Sequence, residues 1–536
     1  VEVASVWVVG LLLLVACGIV LRSRAPRWSR VTLAALTIAT GVAFARPRTP
    51  DSRPLGPRVV HDDDYVGSGA CRSCHPSEHA SWMRTYHRTM TQRGTPPIAI
   101  TTGSHHMQGY WTEDATGGLH MLPVVFARDE ARFIERRDAF LQPPGASQHD
   151  VRWSTNCIAC HATGGRPEID AEHAEVAELG VACEACHGPG RLHADRERNP
   201  ITRARGLAPD IVNPARLPPE RASAVCGACH AYAFPRDEEG FLSRGYVGAF
   251  RPGDALEPSR VILTPDVLAK GTVNLDTDSR NLFWPDGTVR VGGREYNAMV
   301  LSACYLRGQG DRKITCMSCH SMHRSDPDDQ LHRGEAGDPI KDVQAACVSC
   351  HAMPADHTHH APASSGSACV ACHMPKTSYA LRYAIRSHRI DVPDPRTTKP
   401  NACNLCHLDR PLAWASQEMA RLWATPVTAE VGEAVPPLPA SVVGVLAADA
   451  AERVIWADAF GDRAAIDASG GAWEAHVLAA AERDPYAVIR FIAHRSALAY
   501  HGQGAEVGPR GQAMIAPATL DALVARRDDR DVYIAE

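Results

Sequence analysis

Ala182-Cys183-Glu184-Ala185-Cys186-His187-Gly188-Pro189-Gly190 places two cysteines three positions apart and a histidine directly after the second. The same Cys-x-x-Cys-His string recurs at Cys71/Cys74/His75, Cys157/Cys160/His161, Cys226/Cys229/His230, Cys316/Cys319/His320, Cys347/Cys350/His351, Cys369/Cys372/His373 and Cys403/Cys406/His407. In chain order these are motifs 1 to 8, with Cys183 opening motif 3, and together they hold sixteen of the eighteen cysteines. The cysteine and histidine frequencies of the chain would produce roughly 0.03 such strings by chance.

This spacing is the attachment signature of c-type haem. Two thiols bond to the porphyrin vinyl groups and the adjacent histidine becomes the proximal iron ligand. Paired cysteines alone would also suit zinc or exported disulfides, but neither requires a histidine after every second cysteine. Of the two left over, Cys17 lies in an apolar run and reads as a small buried hydrophobe. Cys304, upstream of motif 5, reads as a free thiol near that site.

The 536 residues exceed one ordinary core. Hydrophobic residues make up 45% and aromatics only 6%, a thin filling that macrocycles would complete. A net charge of -5, from 56 basic and 61 acidic residues, argues against a nucleic-acid partner.

The sixth iron ligand decides whether a haem only conducts or also binds small molecules. Fifteen further histidines lie between His61 and His407, which favours imidazole over methionine and a mostly low-potential, low-spin set of haems. The distal candidates are His87, His193, His323 and His388, then the pair His105 and His106, the cluster His357, His359 and His360, and His332. His61, His79, His120, His149 and His173 read as solvated or hydrogen-bonded. His79 to Met90 reads as helical, and so does the stretch that His388 closes after motif 7.

Val1 to Leu21 is long and apolar enough for a membrane helix, and Arg22, Arg24, Arg27 and Arg30 follow it. A second apolar run, Val31 to Ala45, would lead outward, or would form the core of a signal peptide ending at Ala43-Phe44-Ala45. A lipoprotein site at Leu14 to Cys17 is a third reading. All of them export the haem region, and covalent haem attachment also occurs beyond the bacterial cytoplasmic membrane. The expected organisation is an anchor over 1–45, a Pro- and Arg-rich linker over 46–60, a haem domain over 61–409 and an α-helical domain over 410–536. The fold expected is mainly α with much irregular structure wrapped on stacked haems. Met107 to Phe126 allows a hairpin around Gly117-Gly118, and Phe283 to Val291 reads as two strands around a turn. Asp484 to Leu498 has helical periodicity and resembles one helix of a HEAT-type repeat, with an ordinary bundle as the alternative.

Together the eight motifs, the Ala182–Gly190 string and Cys316-Met317-Ser318-Cys319-His320-Ser321-Met322-His323 resemble the multihaem cytochrome c superfamily. Its members include hydroxylamine oxidoreductase, octahaem tetrathionate reductase and pentahaem nitrite reductase. More narrowly, Gly103 to Gln108, Trp284-Pro285-Asp286-Gly287 and Val291 to Tyr296 are similar to bacterial membrane-tethered octahaem cytochromes with helical repeat tails. The resemblance implies distal ligation by His87, His193 and His323 and haems stacked in close pairs. Enzymatic relatives keep one haem open, but the Cys-x-x-Cys-Lys motif of the nitrite reductases is absent here, and no tyrosine matches the crosslinking residue of hydroxylamine oxidoreductase. Tyr305, Tyr379 and Tyr383 are available. The expectation is electron transfer through eight covalent haems outside the cytoplasmic membrane. A quinol-linked or periplasmic donor would supply it, another cytochrome or reductase would accept, and the tail would dock a partner. The alternative is an oxidoreductase acting on a small nitrogen or sulfur compound at one open haem.

Overall fold

The computed structural model describes residue 26 and residues 54–532, apart from 63, 148–149, 168–173, 206–209, 245–249, 274–278, 291, 324–329, 332–338, 380, 395–398, 426–437, 470, 472 and 503–514. Val1–Pro54 and Leu55–Glu536 form separate units, and the second carries all eight motifs. The expected anchor over 1–45 lies outside the described residues but for Pro26, as do His149, His173 and His332. Among the described residues no helix is long and apolar enough to cross a membrane.

Most motifs sit on or beside a short helix, because one helical turn carries residues i, i+3 and i+4 on a single face. Motifs 2, 3, 4 and 7 end the helices Ile158–His161, Cys183–His187, Pro219–His230 and Cys369–His373. Motif 5 opens on the tight turn Cys316–Ser318, where Thr315 and Ser318 cap each other reciprocally. The motif 3 helix stops at Gly188, whose φ of 77° suits glycine.

Within that helix Glu184 is only 2% exposed. Its carboxylate accepts backbone N–H bonds from Val66 at 3.0 Å, Gly67 at 2.8 Å and Gly190 at 2.7 Å. Motif 3 is thereby stitched to the segment leading into motif 1.

A five-stranded antiparallel sheet in sequential order follows motif 1: β1 (Thr91–Arg93), β2 (Ile98–Thr102), β3 (Met107–Glu113), β4 (Leu119–Ala127) and β5 (Arg132–Glu135). The hairpin expected around Gly117-Gly118 is its β3–β4 pair, so the first long insert builds more sheet than its alternation suggested. Along β3 the buried positions alternate, and Trp111 joins Ile100, Trp153 and Ile158 in one apolar cluster. Ile158 lies between the cysteines of motif 2, so the sheet is the floor on which that motif rests.

The C-terminal helices are Leu412–Trp423, Ala440–Ala447, Ala450–Ala459, Arg463–Ser469, Trp473–Ala481, Ala487–Gly502 and Pro517–Ala525. Their buried cluster includes Val445, Ile455, Phe460, Leu478 and Ile489, and it extends without a break to Leu405 and Leu408 of motif 8 and to Trp284. Burying one such aliphatic or aromatic side chain is worth about 1.5–3 kcal/mol. Two ion pairs lie inside this region. Arg453 Nε meets Asp484 at 2.9 Å with side chains 0% and 2% exposed, and Arg290 pairs with Asp449, the N-cap of helix Ala450–Ala459.

Three sequence expectations are corrected. Of the stretch Phe283 to Val291, the described residues 283–290 form one bridge, Phe283 to Val289, around a turn rather than two strands. Arg290 there donates its N–H to the Leu282 carbonyl, and its own carbonyl accepts the Thr377 and Ser378 hydroxyls, so the segment docks on the strand Lys376–Tyr379 instead of extending a ladder. The helix read over His79 to Met90 is two helices, Pro76–Trp82 and Tyr86–Thr89, because Thr85 caps the second by accepting from Arg88 N–H. The stretch closed by His388 is an antiparallel hairpin, Lys376–Tyr379 with Tyr383–Arg386, rather than a helix. Its Thr, Tyr and Ile residues favour a pleated surface.

Candidate haem-ligating site

Six of the proximal histidines face a second imidazole. Ring centroids are 6.4 Å apart for His75 and His193, 5.8 Å for His187 and His323, and 6.0 Å for His230 and His87. They are 6.2 Å apart for each of His320 with His388, His373 with His357, and His407 with His360. The ring planes lie within 34° of each other in five pairs, and at 61° in His87–His230. Direct stacking would bring rings closer. A metal–imidazole bond of about 2 Å on each side, plus roughly 1 Å from nitrogen to ring centre, puts two trans imidazoles about 6 Å apart. The donor set and its spacing therefore fit an iron between each pair.

Hydrogen bonds at Nδ1 orient six of these rings and leave their Nε2 for a metal. His187 Nδ1–H donates to the Val212 carbonyl at 2.7 Å, His373 to that of Asp391 at 2.8 Å, His360 to that of Thr358 at 2.6 Å and His388 to that of Arg386 at 3.2 Å. His87 Nδ1 meets Gln330 Oε1 at 2.5 Å, and His230 Nδ1 meets Glu295 Oε2 at 2.9 Å. Burial, reinforced by the neighbouring His230, lowers His87 to about 4 and keeps it neutral, the form that ligates metals. At His230 burial also disfavours the cation, but the Glu295 carboxylate outweighs it and raises the group to about 9. Burial likewise works to raise Glu295, yet the bond and charge of His230 hold that carboxyl well below its usual range.

The motifs form a connected array. Thiols of motifs 1 and 3 interact through Cys71 and Cys183, those of 2 and 4 through Cys160 and Cys229, and those of 4 and 5 through Cys226 and Cys316. Cys186 reaches Cys226, Cys347 reaches both Cys319 and Cys369, and Cys372 reaches Cys403. The path is 1–3–4–5–6–7–8, with motif 2 as a spur on motif 4.

Two motifs lie nearer the surface than the rest. Cys74 of motif 1 and Cys350 of motif 6 are exposed, whereas the other fourteen motif cysteines are partly buried. The proximal His75 and His351 beside them are exposed as well. Cys74 Sγ has the Ser73 hydroxyl at 3.8 Å, and Cys350 Sγ has the Ser349 hydroxyl at the same distance. Each is a contact with the preceding residue only, because Cys74 ends a turn that runs straight into the surface helix Pro76–Trp82 rather than packing on a neighbouring motif. A thioether requires the sulfur at the porphyrin edge, and the ring it bonds is what covers it. These two positions therefore suit haems at the rim of the array instead of in its interior.

Among the described residues His161 and His351 have no imidazole facing them at this spacing. His161 Nδ1 is buried without a hydrogen bond, its carbonyl accepts the Thr91 hydroxyl at 2.7 Å, and the adjoining Cys160 feels the charges of Arg294 and Arg260. Other candidates stand apart from the six pairs. His105 stacks on His106 at 3.8 Å, flanked by Tyr86 at 4.3 Å and Tyr383 at 4.2 Å, and His359 meets the Trp423 ring edge-on at 4.9 Å. His120 is clamped between Asp114 at 2.8 Å and Asp150 at 2.9 Å. Cys304 is half-buried between motifs 5 and 6, where burial raises its thiol pKa and Cys350 adds to the effect. Sequence reading missed Gln330, Glu184 and the orienting carbonyls, which carry no pattern of their own. Glu295 was within reach, inside the Val291–Tyr296 string.

The family model for cytochrome c554 and c-prime matches residues 133–188, which hold motifs 2 and 3. Over this segment the chain resembles that cytochrome family. Three solved structures are similar to this chain. The outer cell wall cytochrome OcwA is 16% identical, with 82% of this chain and 100% of that one covered and a TM-score of 0.49. An undecahaem cytochrome from the S-layer of Carboxydothermus ferrireducens is 17% identical over 88% of this chain and 73% of that one, with a TM-score of 0.35. The octahaem sulfite reductase MccA of Wolinella succinogenes is 14% identical over 60% and 56%, with a TM-score of 0.27. A comparison with curated protein sequences returns no match.

Proposed function

We propose that this chain carries eight covalent haems and moves electrons along them, outside the cytoplasmic membrane, from one redox protein to another. Residues 61–409 would be the haem-bearing part and 410–536 a helical tail suited to docking a partner. The observation that carries the reading is the set of six imidazole pairs at iron-spanning distance. His75, His161, His187, His230, His320, His351, His373 and His407 are the proximal ligands in this reading. His193, His323, His87, His388, His357 and His360 are the distal ones for motifs 1, 3, 4, 5, 7 and 8. The bound group supplies reversible one-electron storage on iron. The protein residues hold six of these rings by Nδ1, keep His87 neutral by burial, and bring motifs into contact along the path described. With two imidazoles and no thioether in these pairs, low potentials follow.

The test is a haem count by alkaline pyridine haemochrome and mass spectrometry, followed by electron paramagnetic resonance of the oxidised protein. Eight haems with low-spin signals from the six paired sites are expected. Fewer than six low-spin sites would sink the assignment.

A second reading rests on motif 2. Among the described residues no imidazole faces His161, and two arginines act on Cys160, an environment suited to a small oxyanion at an open iron. A high-spin ferric signal shifted by nitrite, hydroxylamine or sulfite would favour an oxidoreductase, and a signal indifferent to all three would favour the conducting array alone.

A further inference from the structure

Glu474 lies in the first turn of helix Trp473–Ala481, fully buried, and neither carboxyl oxygen has a hydrogen-bond partner. A carboxyl without partners in an apolar interior is costly as an anion and is found there only when neutral or balanced by nearby positive charge. Its surroundings lead to motif 8. Asp409, with a side chain 9% exposed, acts electrostatically on both Glu474 and His407. Ser469 donates to the carbonyl of Cys406 at 2.9 Å and accepts the N–H of Leu408 at 3.0 Å, fastening the preceding helix to the same motif.

The ionisable groups around Glu474 are few. Asp409 faces it from the motif 8 loop and Tyr500 from helix Ala487–Gly502. Helix Ala440–Ala447 has no ionisable side chain, and Arg463 with Asp467 of the next helix pair with each other at 2.9 Å on the surface. His476, on the same helix as Glu474, is exposed. Arg410 pairs with Asp409 at 3.3 Å, and among the described residues no cation pairs with Glu474 itself, so Asp409 is the charged group that Glu474 shares with His407 of motif 8.

We propose that Glu474 is a redox-linked proton site, which takes up one proton from water when the iron held by His407 and His360 gains an electron. The step balances as one electron from an external reductant reducing ferric to ferrous iron, and one solvent proton converting the carboxylate to the neutral acid. Ferric iron carries one more positive charge than ferrous iron and so favours the anion, as does the helix N-terminus. Reduction removes that support and the buried acid becomes neutral. Burial and then Asp409 push the Glu474 carboxyl up to about 8, so the exchange falls near physiological pH.

The inference rests on motif 8 carrying haem, which is settled first. A Cys403→Ser/Cys406→Ser variant that loses one haem equivalent identifies the signal of that site, and one that loses none ends the argument before Glu474 is tested. Spectropotentiometry with dithionite as reductant, between about pH 6 and pH 10, then reads that haem. In the wild type the ratio of oxidised to reduced haem at fixed potential changes by up to tenfold per pH unit around pH 8. In Glu474→Gln it becomes pH-independent. Redox-difference infrared spectra gain a carboxylic C=O band on reduction that shifts in heavy water and is missing from the variant. If Glu474→Gln fails to fold, Asp409→Asn serves, because it removes a repelling anion and moves the pH window downward. Unchanged pH dependence in Glu474→Gln, an unmoved window in Asp409→Asn, or a redox-silent carboxyl region overturns the proposal.

Discussion

Replacing Glu184 by glutamine tests whether one carboxylate holds motif 3 against the approach to motif 1. Its Oε1 accepts from Val66 N–H and Gly190 N–H, and its Oε2 accepts from Gly67 N–H at 2.8 Å. A glutamine that keeps an oxygen at the first position presents an NH₂ group to the N–H of Gly67. That buried donor is then orphaned, which costs about 1–3 kcal/mol, and the two remaining bonds lose the charged partner that distinguishes about 1.5–3 kcal/mol from about 1 kcal/mol. The sum is about 3 kcal/mol for Glu184→Gln, and about 5 kcal/mol for Glu184→Ala, which orphans all three donors. Equilibrium urea unfolding measures the difference, and covalent attachment keeps the haems on the chain in both states. The glutamine variant should also show changes at motif 1 before global unfolding, as His75 and His193 lose their frame. A glutamine variant within about 0.5 kcal/mol of wild type, the range of ordinary surface changes, would refute the reasoning.

Three further outcomes are expected. Exchanging His360 for methionine should leave the haem count unchanged and raise the potential of one haem, measured by spectropotentiometry, because a thioether raises the potential of the iron it ligates. The His120 clamp should give stability a two-sided pH dependence. Asp150 and then Asp114 raise the imidazole pKa, so that part is complete below about pH 6.5 and is lost as pH rises through the folded value. The two lowered carboxyls contribute above about pH 4, and that part is lost as pH falls through their folded values. Thermal unfolding of His120→Asn across this range should lack the alkaline flank and show a smaller acid flank, because Thr116 still holds the Asp114 carboxyl low. Arg453→Met leaves Asp484 buried without its nearest cation and should destabilise the chain by about 3–5 kcal/mol, with loss of tail helicity by circular dichroism, although Arg527 lies at 3.5 Å from the same carboxylate.

The sequence made the attachment sites legible because covalent chemistry demands fixed residue types at fixed spacing. Their depth was not legible, since Cys74 and Cys186 stand in strings of the same Cys-x-x-Cys-His pattern and only Cys74 is exposed. Distal partners were legible as residue types but not as pairs. His193 lies six residues after His187 yet faces His75, and His87 follows motif 1 yet faces motif 4. Only the three-dimensional path separates His357 and His360, which face different motifs, from His359, which turns to Trp423. Local periodicity failed where a side chain overrode it. Thr85 split a helix by capping, and Arg290 turned a would-be hairpin into a dock for Asp449. Glu184 and Glu474 look alike in sequence, each a glutamate on a short helix. One is satisfied by three backbone donors and the other by none, so one reads as a structural stitch and the other as a group free to change its proton.

The facing pairs also explain how so uneven a chain becomes one unit. Each distal histidine is delivered by a segment adjoining a different motif. The residues after motif 3 face motif 1, those after motif 5 face motif 3, those after motif 1 face motif 4 and those after motif 7 face motif 5. Ligation on this plan closes long loops, and a clip across a long loop removes more freedom from the unfolded chain than one across a short loop. Regular spacing between motifs is then unnecessary, because the cross-links rather than a repeat set the fold. A low aromatic content accords with the proposed haems, which would share the interior with the smaller apolar clusters of that part, while the largest apolar cluster lies mainly in the tail. Chain held short of haem attachment should therefore keep the structure of its tail helices and lose that around motifs 1 to 5. Amide hydrogen exchange on a variant lacking the motif cysteines would show protection confined to the C-terminal helices, and equal protection in both regions would sink the argument.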